Sequence, residues 1–347
     1  MAKKVLVGMS GGVDSSVAAL LLLERGYEVC GATLLLYAGP GSSGGAAAAD
    51  ARAVCRKLGL EHRVFDFQQQ FYQNVIERFA TAYAAGLTPN PCIDCNRYIK
   101  FPLLYQQARL LGYEHIASGH YANIEYAAGR WLLQKAVDTA KDQSYVLYGL
   151  SQEILSAALF PLGGLSKAQV RGLAQAQGLV SADRADSQDI CFVPDGDYAA
   201  FLARLPGKAA PPGDFIDRDG RALGRHRGLP HYTIGQRKGL HISLGAPRYV
   251  TAISAADNTV TLGQADDLFS SSLLAAEINL IALTELSGPL AVTVKCRYKQ
   301  QETPAIISPL PDGRVRVDFE QPQRALTPGQ AVVFYDGATV IGGGTIC

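Results

Sequence analysis

Ser10-Gly11-Gly12-Val13-Asp14-Ser15-Ser16 follows a β-branched apolar run, Val5-Leu6-Val7, and opens a stretch with apolar residues at helical spacing, Val13, Val17, Leu20 and Leu21. A glycine- and hydroxyl-rich turn thus lies between a predicted strand and a predicted helix, where backbone N–H groups and the helix dipole converge on an anion. Gly11 and Gly12 permit positive φ and the close approach of a ligand. Ser10, Ser15 and Ser16 add hydroxyl donors, and Asp14 offers a carboxylate that can hold magnesium against phosphates. The lysine-bearing GxxxxGK[ST] loop is absent, so cleavage at a γ-phosphate is not the natural inference. The plainer alternative is a tight turn with a capping serine.

Beyond this turn the chain continues with a strand over Val29 to Leu36, a Gly/Ser-rich loop at Gly39 to Gly45, and an Ala-rich helix near Ala46 to Leu58. A strand at His62 to Phe67, a helix after Gln68, and a short strand at Ile116 to Gly119 follow. Such alternation predicts βαβ units around a parallel sheet. Ser166 reads as the cap of a further helix ending at Gly178. From about Leu205 the chain turns to Pro/Gly-rich connections, and past Ala275 to short alternating strands. Val292, Val294, Cys296 and Tyr298 share one face there, and Val315-Arg316-Val317 and Val332-Val333-Phe334 lie between Gly and Pro turns. This is the pattern of a small closed barrel. The fold class is α/β in three domains: 1–204, a nucleotide-binding catalytic unit on a parallel sheet; 205–270, a small central linker domain; and 271–347, a C-terminal β-barrel.

Of the 347 residues, 48% are hydrophobic and 18% charged, with a formal net charge of +1. Overall charge therefore gives no sign of a polyanionic partner, and any nucleic-acid surface must be a local patch. The N-terminal MAKKVLVGMSGG runs directly into a strand, and no apolar run approaches the roughly 20 residues of a membrane span, so a cytoplasmic protein without a signal peptide is expected. Seven cysteines in a chain this long suggest chemistry or core packing before disulfide staples.

Two of those cysteines lie in Thr88-Pro89-Asn90-Pro91-Cys92-Ile93-Asp94-Cys95-Asn96, a Pro-rich loop followed by Arg97 and Lys100 at the start of a helix. Positive neighbours and a helix N-terminus lower a thiol pKa, so reactive thiolates are expected here. Another lies in Asp186-Ser187-Gln188-Asp189-Ile190-Cys191-Phe192, a polar segment closing on an apolar one. Cys30, Cys55 and Cys296 read as small core residues.

The SGGxDS turn resembles the PP-loop pyrophosphatases, which split ATP between the α- and β-phosphates and adenylate a substrate. The turn is shared by GMP, NAD and asparagine synthetases, argininosuccinate synthase and tRNA-modifying enzymes, and does not choose among them. The choice comes from GMSGGVDSSVAALLL, TPNPCIDCNRYIKF, GHYA, KDQSYVLYGL, SQDICF, HYTIGQRKGL and KCRY. In this order, spanning nearly the whole chain, they resemble the tRNA-specific 2-thiouridylase (MnmA) family. That resemblance implies a PP-loop domain, ATP-dependent adenylation of the wobble uridine O2, and sulfur transfer from a cysteine persulfide to give 2-thiouridine, AMP and pyrophosphate. It places ATP on Gly8, Met9, Ser10, Gly11, Gly12, Val13, Asp14, Ser15, Leu34 and Gly119. Cys95 becomes the nucleophile and Cys191 the persulfide carrier, with a transient Cys95–Cys191 disulfide. The implied partners are the wobble-uridine tRNAs for Lys, Glu and Gln, and a cysteine desulfurase or sulfur-relay protein.

The same resemblance sets tRNA contacts at His120, Lys141, Asp142, Gln143, Arg297, Tyr298 and Gln330, and the target base at Asn90, Pro91 and Cys92. Read from the residues alone, Lys141-Asp142-Gln143 is also a solvated helix cap, Arg297 an outward strand residue and Tyr298 a core one. Arg225 to Lys238 is the densest basic and aromatic segment, suited either to a phosphate backbone or to a structural loop. The sequence departs from the family's pattern at Cys92, where well-known members carry aspartate, and that role does not pass to Asp94 by position. The departure opens a second route, an iron–sulfur cluster on Cys92, Cys95 and Cys191 with an open iron, beside the two-thiol route.

Overall fold

The computed structural model describes residues 2–39, 44–179, 190–207, 210–242 and 245–347. Its catalytic unit is built on a five-stranded parallel sheet of β1 (Lys4–Gly8), β2 (Glu28–Leu35), β3 (Glu61–Asp66), β4 (His115–Ser118) and β7 (Ala158–Leu159), in the order β3-β2-β1-β4-β7. Helix α1 (Val13–Glu24) joins β1 to β2, α2 (Gly44–Leu58) joins β2 to β3, and α3 (Gln68–Phe71), α4 (Glu77–Ala84), α5 (Pro91–Asp94) and α6 (Phe101–Leu110) lead to β4. Val5, Leu6 and Val7 are fully buried, as expected for a central strand covered on both faces. Val5 and Val7 pack with α1, while Leu6 packs with Phe101, Leu104 and Ile116.

Strand order reverses at β1, with β2 and β3 on one side and β4 and β7 on the other. Ligands of open α/β sheets bind outside the carboxyl ends of the strands at such a switch point. The turn after β1 and the residues after β4 meet there. Sequence patterning located these elements because buried parallel strands and an amphipathic helix each carry a local signature. It also located the helix capped by Ser166, α9 (Lys167–Ala176), whose cap is a reciprocal box with Gln169 and whose chain turns at Gly178 with φ +56°. The Gly39–Gly45 loop falls mainly on 40–43, outside the described residues.

The hairpin β5 (Asn123–Ala127) and β6 (Arg130–Gln134), with α7 (Ser144–Leu147) and α8 (Gln152–Ala157), belongs to the same unit in sequence but joins the barrel in space. After α10 (Tyr198–Ala203), β8 (Gly213–Ile216), β9 (Ala222–His226), β10 (Tyr249–Ser254) and β11 (Thr259–Gly263) form a four-stranded sheet in the order β10-β11-β8-β9. Its core includes Phe215, Tyr232, Val250, Val260 and Leu262. Within the basic stretch Arg225 to Lys238, His226 and Tyr232 are core residues and Arg225 pairs with Asp214 at 2.9 Å, while Arg227, Arg237 and Lys238 face solvent. The structural reading thus holds for the two rings.

The C-terminal barrel comprises β12 (Phe269–Leu280), β13 (Leu290–Lys295), β14 (Thr303–Pro309), β15 (Val315–Arg324), β16 (Ala331–Asp336) and β17 (Thr339–Ile346). Pairing of β12 with β17 closes it, and β6 attaches to β17 through Thr339 opposite Gln134. Val292, Val294 and Cys296 are buried as the alternation predicts, but β13 ends at Lys295 and Tyr298 lies on the following turn, 37% exposed. The period-2 reading ran past the strand end. One core joins barrel and catalytic unit, with Ala331, Val333, Tyr335 and Val340 packed with Leu133, Tyr145, Leu147 and Tyr148. Tyr145 also donates to Ala331 O at 2.9 Å.

Candidate active site

The turn after β1 is built by its own hydroxyls. Gly12 is the N-cap of α1, and its carbonyl accepts from the Ser16 hydroxyl at 2.8 Å and the Ser15 hydroxyl at 3.2 Å. Ser10 N–H donates to Ser15 Oγ at 3.3 Å. Met9 is buried with its N–H on Ala32 O and its carbonyl on the Thr33 hydroxyl, which fixes the loop to β2. Gly11 adopts φ +74°, and a Cβ there would lie 2.7 Å from Asp50 Cβ. Gly119 lies against the opposite side, since a Cβ on it would sit 2.6 Å from Asp14 C and from Ser15 N. Gly8 ends β1 and Leu34 lies next to last in β2, so the residues proposed for ATP gather at the switch point.

Asp14 is not placed as expected for a magnesium ligand. Lys167 Nζ lies 2.8 Å from both carboxylate oxygens, and the Tyr121 hydroxyl donates to Oδ1 at 2.8 Å. The carboxylate is neutralised within the protein, so a divalent ion does not fit it as it stands. Lys167 and Tyr121 escaped sequence reading. The Ser166 cap pointed to the helix start that carries Lys167, but nothing local connects that helix to the turn.

The thiols occupy one neighbourhood. Asn90 caps α5 by accepting from Cys92 N–H at 3.2 Å, and Pro91 fills the first helical position, where no N–H is needed. From Cys95 to Lys100 the helix widens to a π-helix, a form frequent at functional sites. Cys191 is brought alongside by its neighbour Phe192, which is 2% exposed and packs edge-on against Phe71 and Phe79 in the cluster that contains Cys95. Asp186 to Asp189 lie outside the described residues. Cys92 and Cys191 are exposed, Cys95 is buried, and all are free thiols.

Lys100 is the cation these thiols share. It acts electrostatically on Cys92, Cys95 and Cys191 and on the ring of His120. Burial nonetheless prevails. Desolvation pushes the buried Cys95 up to about 12, with Lys100 pulling it down less strongly, and it also raises Cys92 and Cys191, the latter to about 11, although both residues keep exposed surface. This corrects the expectation of ready thiolates, because sequence shows the positive neighbour but not the packing around the sulfur. Among the described residues no set of three His, Cys, Asp or Glu side chains is placed to hold a metal. The three thiols therefore do not form an iron–sulfur ligand set as they stand. Asp94 faces away from this group, toward Arg78 at 3.4 Å.

The residues expected to meet RNA divide into two kinds. His120 follows Gly119 directly, bonds Ser118 Oγ through Nδ1 at 2.8 Å and lies between Phe101 and Phe160. Desolvation, aided by Lys100, holds its pKa well below the usual histidine range, so the ring is neutral at pH 7. Asp142 is buried rather than solvated, accepting from Ala136 N, Ser144 N and the Ser144 hydroxyl. Gln143 pairs with the Tyr121 backbone through Oε1 and its own N–H, and Lys141 N–H bonds Asp138 O. Arg297 donates to Ala325 O and Thr327 Oγ1, Tyr298 to Asp142 O at 3.1 Å, and Gln330 to Thr88 O at 2.7 Å.

Family comparisons agree with this architecture. Residues 3–195 match "tRNA methyl transferase HUP domain", 199–264 "tRNA methyl transferase PRC-barrel domain" and 270–346 "Aminomethyltransferase beta-barrel domain". The chain is 49% identical to the tRNA-specific 2-thiouridylase MnmA of Acetivibrio thermocellus, over 99% of each chain. It is also 49% identical to that of Heliobacterium modesticaldum, over 100% of this chain and 93% of that one. Among solved structures, a 4-thiouridine synthetase–RNA complex with bound ATP is 20% identical with a TM-score of 0.41, covering 55% of this chain and 45% of that one. With 49% identity over nearly the full length and all three domain matches in order, the chain belongs to the tRNA-specific 2-thiouridylase family.

Proposed function

We propose that this protein is a tRNA-uridine 2-sulfurtransferase that adenylates the O2 of a wobble uridine and replaces it with sulfur carried on Cys191. One observation carries the reading. Gly119 packs on Asp14 of the nucleotide turn, and the charge of Lys100 acts both on the next residue, His120, and on the three thiols. That shared cation supports phosphate-binding and sulfur-bearing groups working together.

In this reading ATP lies along the turn, with its phosphates on the N-terminal amides of α1 and Lys167 beside them as a cation. Uridine O2 attacks the α-phosphorus and pyrophosphate leaves, so the oxygen becomes part of an AMP leaving group. The terminal sulfur of a Cys191 persulfide then attacks C2 and AMP departs. Cys95 attacks Cys191 Sγ, the S–S bond breaks toward the new 2-thiouridine, and a Cys95–Cys191 disulfide remains for an external thiol to reduce. In the other order, Cys95 first frees hydrosulfide from the persulfide, and hydrosulfide attacks C2. Both orders need Cys95 and Cys191 adjacent and both consume one persulfide from a desulfurase or relay protein. Lys100 supports either by favouring the anionic sulfur in a site where burial opposes it.

Asn90, Pro91 and Cys92 border the thiols and are the residues for the target base. His120, Lys141 to Gln143, Arg297, Tyr298 and Gln330 are the further residues proposed to meet the RNA. No helix among the described residues is long and apolar enough to cross a membrane, and a cytoplasmic location accords with tRNA as substrate. The test is tRNA for Lys, Glu or Gln with ATP, magnesium, cysteine and a desulfurase. Thiolated RNA with equimolar AMP supports the proposal, whereas retarded RNA without AMP shows a binding protein.

A further inference from the structure

Thr88, two residues before the cap of the thiol-bearing helix, is held by both of the other parts of the molecule, the barrel and the central domain. Its N–H donates to Pro328 O at 2.9 Å and its carbonyl accepts from Gln330 Nε2 at 2.7 Å, so one loop of the barrel takes both sides of it. Its hydroxyl lies 3.5 Å from the Thr233 hydroxyl, in a loop of the central domain. Between the two barrel contacts, Gly329 adopts φ +89°, and a Cβ there would stand 2.9 Å from Leu87 Cβ and Thr88 N. Backbone thus meets backbone without an intervening side chain.

Gln330 is itself fixed. Its N–H reaches Thr327 O at 3.1 Å and its carbonyl accepts from Ile346 N–H at 2.8 Å, which ties it to the closing strand of the barrel. Its side-chain amide is already donating inside the protein, to the segment that leads through Pro89 to Asn90. Asn90 in turn holds Cys92 N–H and so starts the helix toward Cys95. A second barrel loop repeats the pattern, with the Tyr298 hydroxyl on Asp142 O at 3.1 Å.

We propose that Gln330 is a positioning residue of the sulfur-transfer site, which holds the 88–90 segment, and through it the Cys92–Cys95 helix, in register with the barrel before any RNA arrives. The barrel then serves as a template for the catalytic thiols in addition to any surface it offers to RNA. This rests on the reading of Cys95 as a sulfur-handling thiol, but its first readout requires neither RNA nor a sulfur donor.

The experiment compares wild type with Gln330→Met, which keeps length and removes the donor, and with Gly329→Ala, which displaces the same segment while leaving the amide intact. Iodoacetamide labelling of Cys92 and Cys95 in the RNA-free enzyme, followed by mass spectrometry, reads the helix directly. Single-turnover thiolation at saturating tRNA, and the tRNA Kd, read the consequence. Both variants are expected to label Cys95 several-fold faster and to thiolate about tenfold more slowly, with the tRNA Kd within twofold of wild type. Wild-type labelling in both variants, with a weakened Kd and an unchanged saturating rate, would show Gln330 to be an RNA contact alone and overturn the proposal. If wild type itself fails to thiolate RNA, the functional reading fails while the labelling comparison still decides the role of Gln330.

Discussion

Replacing Gly119 by alanine tests whether the chain after β4 is a wall of the nucleotide turn. The added Cβ would stand 2.6 Å from Asp14 C and Ser15 N and 2.9 Å from Asp14 O. Carbon contacts settle near 3.5 Å, so about 0.9 Å of relief is needed. Every one of those atoms is main chain in the turn, so no flexible side chain can swing aside. Overpacking of this kind costs about 1–3 kcal/mol, and a displacement near 1 Å at a reacting group costs on the order of 100-fold in rate. Gly119→Ala should therefore bind ATP about 5- to 150-fold more weakly by calorimetry and release pyrophosphate more slowly at saturating ATP. Gly164→Ala, where a Cβ meets nothing within 4 Å, is the matched control and should behave as wild type. If Gly119→Ala kept wild-type ATP affinity, pyrophosphate release and melting temperature, the packing argument for this site would be wrong.

Lys167→Met leaves Asp14 without its cation at a pair whose side chains are 11% and 32% exposed. With solvent screening of the more exposed carboxylate, it should cost about 1–2 kcal/mol in urea unfolding, and ATP affinity should fall with it. An unchanged unfolding midpoint together with unchanged ATP affinity would count against the pair. Alkylation of Cys191 in the free enzyme should rise about tenfold per pH unit from 7 to 9 with no plateau, since desolvation pushes its thiol up to about 11; a plateau below pH 9 would contradict desolvation of this sulfur. The raised Cys95 value also makes a stability contribution that is fully present below the unfolded thiol pKa of about 8.5 and is lost as pH climbs toward about 12. Unfolding free energy should thus fall between pH 7.5 and 10 by less in Cys95→Ser than in wild type. Cys191→Ser should abolish sulfur transfer while leaving tRNA binding intact, and persistent thiolation would remove Cys191 as the carrier.

What could be read from sequence was what is local. Val5 to Ser16 announces strand, turn and helix within a dozen residues because apolar period, glycine and hydroxyls all act at short range. Cys92 and Cys95 were visible as a pair for the same reason. The Asp14–Lys167 pair was not, since only the stacking of α9 beside α1 brings the two together. The direction of Cys95 titration is not legible in the sequence because Lys100 is near along the chain, while the packing that outweighs it comes from Phe71, Phe79 and Phe192, drawn from three separate segments. Tyr298 was placed in the barrel wall because alternation has no mark for where a strand ends. Attachment of β5–β6 to the barrel runs through one ladder pair, Thr339 opposite Gln134, and through contacts of Leu133, Arg130 and Lys135 with the barrel, all between segments far apart in the chain.

Activation by ATP of the very oxygen that sulfur replaces can be followed with tRNA carrying 18O at O2 of the wobble uridine, in one turnover with ATP and persulfide-loaded enzyme. One 18O in each AMP and none in pyrophosphate or water is expected. Recovery of the label in water, or thiolation without AMP, would contradict it.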